Sequence, residues 1–264
     1  MAKFEGDQPN SSPHIVAAKT TAQIALEWDQ VAAQRAVDIE SGLDVSYISV
    51  LTPTVLDLLP RSIESANVLD IGCGTGALGR TVASLVKSLV GVDPSARSVE
   101  IARKQAQERG VANTEWVVAD IEEYAEANRL EYPLFDVAIA NMTLMDAADL
   151  KATLASTASL CRAGAKLVWT ITHPFFWPVY WGYHKEEWFN YKEELWIEAE
   201  FKTAMSRSGT NTTHIHRPLE MYLDIFAGAG FELAELREPM PIPDGNTQNH
   251  WHYPRFLAGS CILR

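Results

Sequence analysis

The sequence predicts an α/β fold built on a doubly wound, mostly parallel sheet. Three observations carry this reading. Strand-like apolar runs alternate with helix-like stretches from residue 66 onward, the pattern of a parallel sheet with helices on both faces. The first run, Val68-Leu-Asp-Ile-Gly-Cys-Gly-Thr-Gly76, stops at an acid and opens into glycines on alternate positions before a helix. A second run, Val90-Gly-Val-Asp93, ends in another acid about 20 residues further on, a separation typical of nucleotide-binding βαβ units.

The elements follow in order. Strands are expected near 66–71, 88–92, 114–119, 134–140 and 165–172, and helices near 76–86, 95–109 and 147–161. Pro94 suits the first turn of its helix and Gly110 its end. Upstream, Met1 to Pro13 is polar and reads as a loose arm, and about 20 to 60 reads as helical, with Trp28 on the apolar spacing of Ala22 to Val37. After the fifth strand, 175–217 interrupts the alternation and is expected to form a lid, with a hairpin of roughly 195–203 against 210–217. Pro218 to Ala229 reads as a helix ending at Gly230. Phe231 to Glu238 and Arg255 to Arg264 read as strands joined by a Pro/Asn/Gly-rich loop. The division is therefore an arm with cap helices, 1–60, and a main domain, 61–264.

Glycines at a strand-to-helix turn let a ligand approach the backbone closely. Gly72-x-Gly74-x-x-Ala77 also satisfies the dinucleotide fingerprint, with Asp93 placed for a ribose, so the glycines alone admit an NAD(P)-dependent oxidoreductase. Asp70 argues against it. A carboxylate at the mouth of the first strand would repel a pyrophosphate across poorly screened space. The same carboxylate suits a ligand with a cationic amino-acid tail.

Beyond the loop the chain resembles the class I S-adenosylmethionine (SAM)-dependent methyltransferases. Asp70-Ile-Gly72-Cys-Gly74-Thr-Gly76 is similar to their first motif and Val90-Gly-Val-Asp93-Pro94-Ser95 to their second. Trp116-Val-Val-Ala-Asp120-Ile121 is similar to the third, Phe135-Asp-Val-Ala-Ile-Ala-Asn141-Met142 to the fourth, and Gly164-Ala-Lys-Leu-Val-Trp-Thr to the fifth strand. The resemblance implies that Asp93 takes both ribose hydroxyls, that Asp120 faces the adenine amino group, and that Asn141-Met142 lies beside the methionine moiety. It implies N-terminal helices, with Trp28, closing over the cofactor. It also implies a seven-stranded sheet whose terminal hairpin is antiparallel, which dinucleotide folds lack.

Composition narrows the partners. The formal net charge is −12, which disfavours a nucleic-acid substrate. Cys73, Cys161 and Cys261 lie far apart without metal spacing, which fits a reducing compartment. No apolar run reaches a membrane span and the N-terminus carries no signal-peptide core, so the expectation is a cytoplasmic protein, monomer or homodimer.

The acceptor site is expected above the C-terminal ends of the fourth and fifth strands. His173, restrained by Pro174, is the first candidate for a catalytic base or acceptor anchor; the alternative is a histidine that holds the lid. His216 and Tyr222 are further candidates, Tyr222 facing either pocket or core. Arg217 would pair with an acceptor carboxylate or with a nearby glutamate. His214 and His216 share a face on a strand, but no third ligand is spaced to complete a metal site. Phe175 to Phe201 is rich in aromatic residues interleaved with glutamates, suited to a flat or cationic acceptor, to a self-burying lid or to a dimer contact. The sequence thus points to a SAM-dependent methyltransferase acting on O or N of a small organic molecule. A peptide or protein acceptor, and a non-catalytic binding module of the same fold, are the alternatives within that fold.

Overall fold

The computed structural model describes residues 12–129, 134–203, 205–242 and 251–264. The loop expected between the last two strands falls largely outside these, as does most of the N-terminal arm. The described elements run β1 (His14–Ile15), α1 (Thr21–Glu40), a π-helical turn (Tyr47–Leu51) continuing into α2 (Thr52–Leu58), β2 (Asn67–Ile71), α3 (Ala77–Ala83), β3 (Ser88–Asp93) and α4 (Ala96–Glu108). They continue with β4 (Thr114–Val118), α5 (Ile121–Asn128), β5 (Phe135–Asn141), α6 (Leu150–Leu160), β6 (Cys161–Thr172), α7 (Phe176–Trp181), a 3-10 turn (Tyr183–Lys185), β7 (Leu195–Lys202), β8 (Arg207–His216), α8 (Leu219–Gly228), β9 (Phe231–Arg237) and β10 (Phe256–Leu263).

The main sheet has the order β4-β3-β2-β5-β6-β10-β9. Only β10 runs against its neighbours β6 and β9; the other pairs are parallel. This is the expected seven-stranded sheet with its terminal hairpin. The chain reverses its order of travel between β2 and β5, where a ligand crevice opens beyond the strand ends. The central strands are apolar on both faces because both faces are covered. Leu69, Leu167 and Trp169 pack with α5, α6 and α8, and Trp169 stacks on Phe226 at 5.1 Å. Val68, Ile139 and Val168 pack on the opposite face with Leu58, Val82 and Val99.

Helix starts are set by local chemistry. Thr20 and Gln23 form a capping box on α1, the Ser95 side chain accepts from Ser98 N on α4, and Asp149 caps α6. Helix α5 extends the expected set. Its signal was nonetheless local: Asp120 and Glu123 form a reciprocal capping box directly after β4.

The lid is larger than a hairpin. β7 and β8 pair antiparallel as expected, and β1 adds to β7 through His14↔Glu198 and Ile15↔Ile197, making a three-stranded sheet. Helix α1 bridges this sheet and the main domain. Glu27 accepts from Thr213 N at 2.8 Å on the lid side, and Asp29 accepts from Ser95 Oγ at 2.6 Å and Arg97 N at 2.9 Å on the other.

Candidate active site: a cavity between strand-end acids and an aromatic lid

A cavity of about 310 Å³ opens above the ends of β2, β3 and β5 and runs under α1 and the lid. Its floor is the glycine loop. Gly72 N donates to Val92 O at 2.8 Å, holding the loop against β3. Gly72 has φ +62, and a Cβ there would sit 2.3 Å from Thr143 Oγ1. Thr143 fills that space to donate to Ile71 O at 3.1 Å, so β2 and β5 are locked together at the switch point. Gly74, at φ +53, has nothing within 4 Å of a would-be Cβ and lines the cavity. Its bare backbone is a cradle that a ligand can approach.

The expected binding residues converge here. Asp70, Gly72, Gly74, Asp93, Pro94, Asp120, Ile121, Asn141, Met142 and Trp28 all line the cavity. Asp93 accepts from Gly74 N and from Ser95 N, each at 2.8 Å, and burial pushes its carboxyl up to about 6 despite those bonds. Asp70 is 2 % exposed, and its Oδ2 finds no donor among the described residues. Burial, then the Asp93 charge, push its carboxyl up to about 8. A buried oxygen without a donor is costly unless a ligand supplies one. Asn141 Oδ1 accepts from Thr170 Oγ1 at 2.7 Å, and Met142 carries φ 57, a left-handed backbone rare outside glycine and common where a site stores strain.

Two of the expected binding residues stand back from the cavity. Gly76 packs at the start of α3, where a Cβ would meet Trp116 at 2.8 Å. Ser95 is 1 % exposed and caps α4 while donating to Asp29.

The expected catalytic set lies apart from the cavity. His173, His216 and Tyr222 do not line the cavity; all three surround a void of about 10 Å³ behind it. His173 Nε2 donates to Glu238 Oε1 at 3.0 Å, and its Nδ1 accepts from Phe175 N and Phe176 N at 3.2 Å. Nδ1 is spent on the turn that leads into the lid and Nε2 on Glu238 beyond β9, so both nitrogens are engaged. His216 bonds the Tyr191 carbonyl at 3.0 Å and packs edge-on against Phe189. Tyr222 is 2 % exposed in the core, and burial pushes its hydroxyl up to about 12. Arg217 pairs with Glu194 and donates to the Leu144 and Ala147 carbonyls, tying the lid to the loop after β5.

Two titratable residues outside that set line the cavity wall. His214 lines the cavity, its Nε2 is 3.3 Å from the Tyr183 hydroxyl, and burial lowers its ring to about 4, so it is neutral at pH 7. Asp146 lines it too, pushed well above the carboxylate range by burial and by the Glu27 charge, with Arg217 opposing. Trp177, Tyr180, Trp181, Phe201, Lys202 and Arg255 form the lid-side wall. The roof closes where Trp28 of α1 meets Phe201 of β7 edge-on at 5.3 Å. Among the described residues no group of side chains is arranged to hold a metal, and no helix is long and apolar enough to cross a membrane.

A doubly wound sheet with β10 reversed, a glycine cradle and acids at three successive strand ends defines the Rossmann-like fold of class I SAM-dependent methyltransferases. Residues 63–206, more than half of the chain, match the family model described as a methyltransferase domain. The chain belongs to that family, which sets aside the oxidoreductase alternative. It is 35% identical over 105 residues to the ubiquinone biosynthesis O-methyltransferase of Rhizobium etli (strain CIAT 652), a match covering 40% of each chain. It is 28% identical over 232 residues to the protein of the same name from Acinetobacter baylyi, covering 87% of this chain and 86% of that one. Among solved structures it resembles the 1,6-didemethyltoxoflavin-N1-methyltransferase of Burkholderia thailandensis, determined with 1,6-didemethyltoxoflavin and S-adenosylhomocysteine, at TM-score 0.59 and 14% identity over 96% of this chain and 99% of that one. The [4+2]-cyclase SpnF is similar at TM-score 0.61 and 16% identity, covering 95% and 99%. At these identities the likeness is one of fold.

Proposed function

We propose that the chain transfers a methyl group from SAM to an oxygen or nitrogen of a small organic molecule. The observation that carries this reading is the single cavity that joins the strand-end acids to an aromatic wall. Asp93, braced by two backbone N–H groups, would take the ribose hydroxyls, and Asp120 with Ile121 would meet the adenine. The Asp70 carboxyl on the cavity lining and the bare backbone of Gly74 fit a cationic amino-acid tail without phosphate. SAM supplies an electrophilic methyl on a sulfonium; the chain's part is to hold the nucleophile in line and dry. The Trp28–Phe201 contact roofs the cavity and favours a small acceptor over a peptide. The ubiquinone-biosynthesis names of the curated relatives agree with a small acceptor, as does a charge of −12 with a nucleic-acid substrate being unfavoured.

We read 1–60 as arm and cap, 61–264 as the methyltransferase domain, and 175–217 as the insertion that shapes the acceptor site. A base is needed only when the nucleophile arrives protonated. Asp146 and His214, not His173, stand on the cavity wall for that step. Calorimetry with S-adenosylhomocysteine and NADH tests the cofactor: binding of the first alone is expected, and the reverse overturns the reading. Transfer of label from SAM to a metabolite extract tests catalysis. Binding without transfer would point to the second reading that the SpnF likeness motivates, a SAM-type fold put to other use.

A further inference from the structure

The unpaired polar groups of the cavity lining fall at its two ends. At the sheet end, the group without a partner is an acceptor, Asp70 Oδ2. At the lid end they are two indoles and the Thr203 hydroxyl. The indole N–H groups of Trp177 and Trp181 are buried and meet no acceptor among the described residues. Two cations stand beside them. The Arg255 guanidinium lies 4.1 Å from the centroid of the Tyr180 ring and 4.4 Å from that of Trp251. Lys202 Nζ lies 3.9 Å from the centroid of Trp181. Neither has a carboxylate within ion-pair distance among the described residues, whereas Arg35 on the same wall is paired with Asp44. Glu200, a lid carboxylate that also acts on Lys202, faces Arg207 and accepts from Gly209 N at 3.1 Å.

Ring faces hold the two cations in place but do not neutralise them. Burial lowers both Arg255 and Lys202; the Arg207 charge lowers Lys202 further and Glu200 opposes it. A buried N–H without an acceptor is likewise costly. A ligand with a negative charge at the lid end supplies the counter-charge that Arg255 and Lys202 lack within ion-pair distance.

Building on the methyltransferase reading above, we propose that the methyl acceptor is a flat molecule bearing an anionic group, a carboxylate or an acidic phenol. Arg255 and Lys202 receive that group, and the lid indoles flank the ring. The acceptor's anion lies at the lid end, and the nucleophilic atom points toward the sheet.

The test uses three ligands that share one ring and differ in charge: 3,4-dihydroxybenzoate, catechol and dopamine. Each is titrated by calorimetry into the full chain saturated with S-adenosylhomocysteine. The benzoate is expected to bind at least roughly thirtyfold more tightly than catechol, and dopamine most weakly, as for a charge pair formed out of water. Arg255→Gln and Lys202→Gln should each erode that preference, while affinity for S-adenosylhomocysteine, measured on the same variants, reports that the fold is intact. Equal binding of the three, a preference for dopamine, or no binding of the benzoate at millimolar concentration overturns the proposal. Failure of S-adenosylhomocysteine itself to bind would instead sink the methyltransferase reading, so the two failures are distinct.

Discussion

Asp93 Oδ2 accepts the backbone N–H of Gly74 at 2.8 Å, so the acid that ends β3 also sets the glycine loop that follows β2. Its other oxygen is anchored by Ser95 N at 2.8 Å. The carboxylate is therefore pre-oriented before a ligand arrives. Asp93→Ala is expected to weaken S-adenosylhomocysteine binding by at least roughly a hundredfold, because charged hydrogen bonds are worth about 1.5–3 kcal/mol each and the loop is released as well. Calorimetry measures it, and unchanged affinity would remove Asp93 from the ribose role.

The two central loop glycines separate folding from binding. Gly74→Ala places its methyl in open cavity space, so the chain should fold with a loss of about 1 kcal/mol from the left-handed backbone while ligand affinity drops sharply. Gly72→Ala drives a methyl into Thr143 at 2.3 Å and should depress the melting temperature well beyond the Gly74 variant. Thermal melts and calorimetry on the pair decide it. Equal loss of stability would show that Gly74 is a framework residue as well.

The floor of the site was legible in the sequence because it is written in short local patterns. An apolar run ending in an acid and a glycine turn specifies both a strand and what lies at its end, so Asp70, Asp93 and Asn141 reach the cavity where expected. Which histidine faces the cavity was not legible. The direction of the His173 ring depends on Glu238, 65 residues away in sequence, and on two amide N–H groups of a turn. His214 and His216 have the same parity on β8 and both border the small void, yet only His214 also lines the cavity while His216 is turned to the Tyr191 carbonyl. Arg255 sits at the start of the last strand and Lys202 at the end of β7, and nothing near either in sequence marks it. Their meaning comes from Tyr180 and Trp181, which only the folded lid brings alongside.

His173 is expected to matter to stability and not to turnover. His173→Ala leaves Glu238 and two amide N–H groups without their partner, a loss of about 1–3 kcal/mol. At a chain of this size that corresponds to a fall of several degrees in melting temperature. Methyl transfer measured at low temperature, where the variant is folded, should stay within a few-fold of the parent. A large drop in kcat with an unchanged melt would restore the base role to His173. Asp146→Asn and His214→Gln carry the opposite expectation for a protonated acceptor: lower kcat by roughly tenfold or more with S-adenosylhomocysteine affinity kept.

The two buried acids of the floor give the ligand-free protein a pH dependence of defined sign. Burial holds Asp93 up to about 6 and Asp70 up to about 8, both above the ordinary 3.8. Between 3.8 and its own raised value, each acid keeps in the folded chain a proton that the unfolded chain has released. Stability is therefore fully present below about pH 4 as far as these groups decide it, and is lost as pH rises through 6 and then through 8. The melting temperature of the ligand-free chain should fall by roughly 5 °C or more between pH 6 and 9. Asp70→Asn, which carries no charge to desolvate, should flatten the upper half of that decline. SAM supplies the missing cation to Asp70, so saturating ligand should flatten it too, and should release protons on binding at pH 7. If the ligand-free melt rises across that range, or Asp70→Asn follows the parent curve, Asp70 is not the buried acid that governs this end of the site.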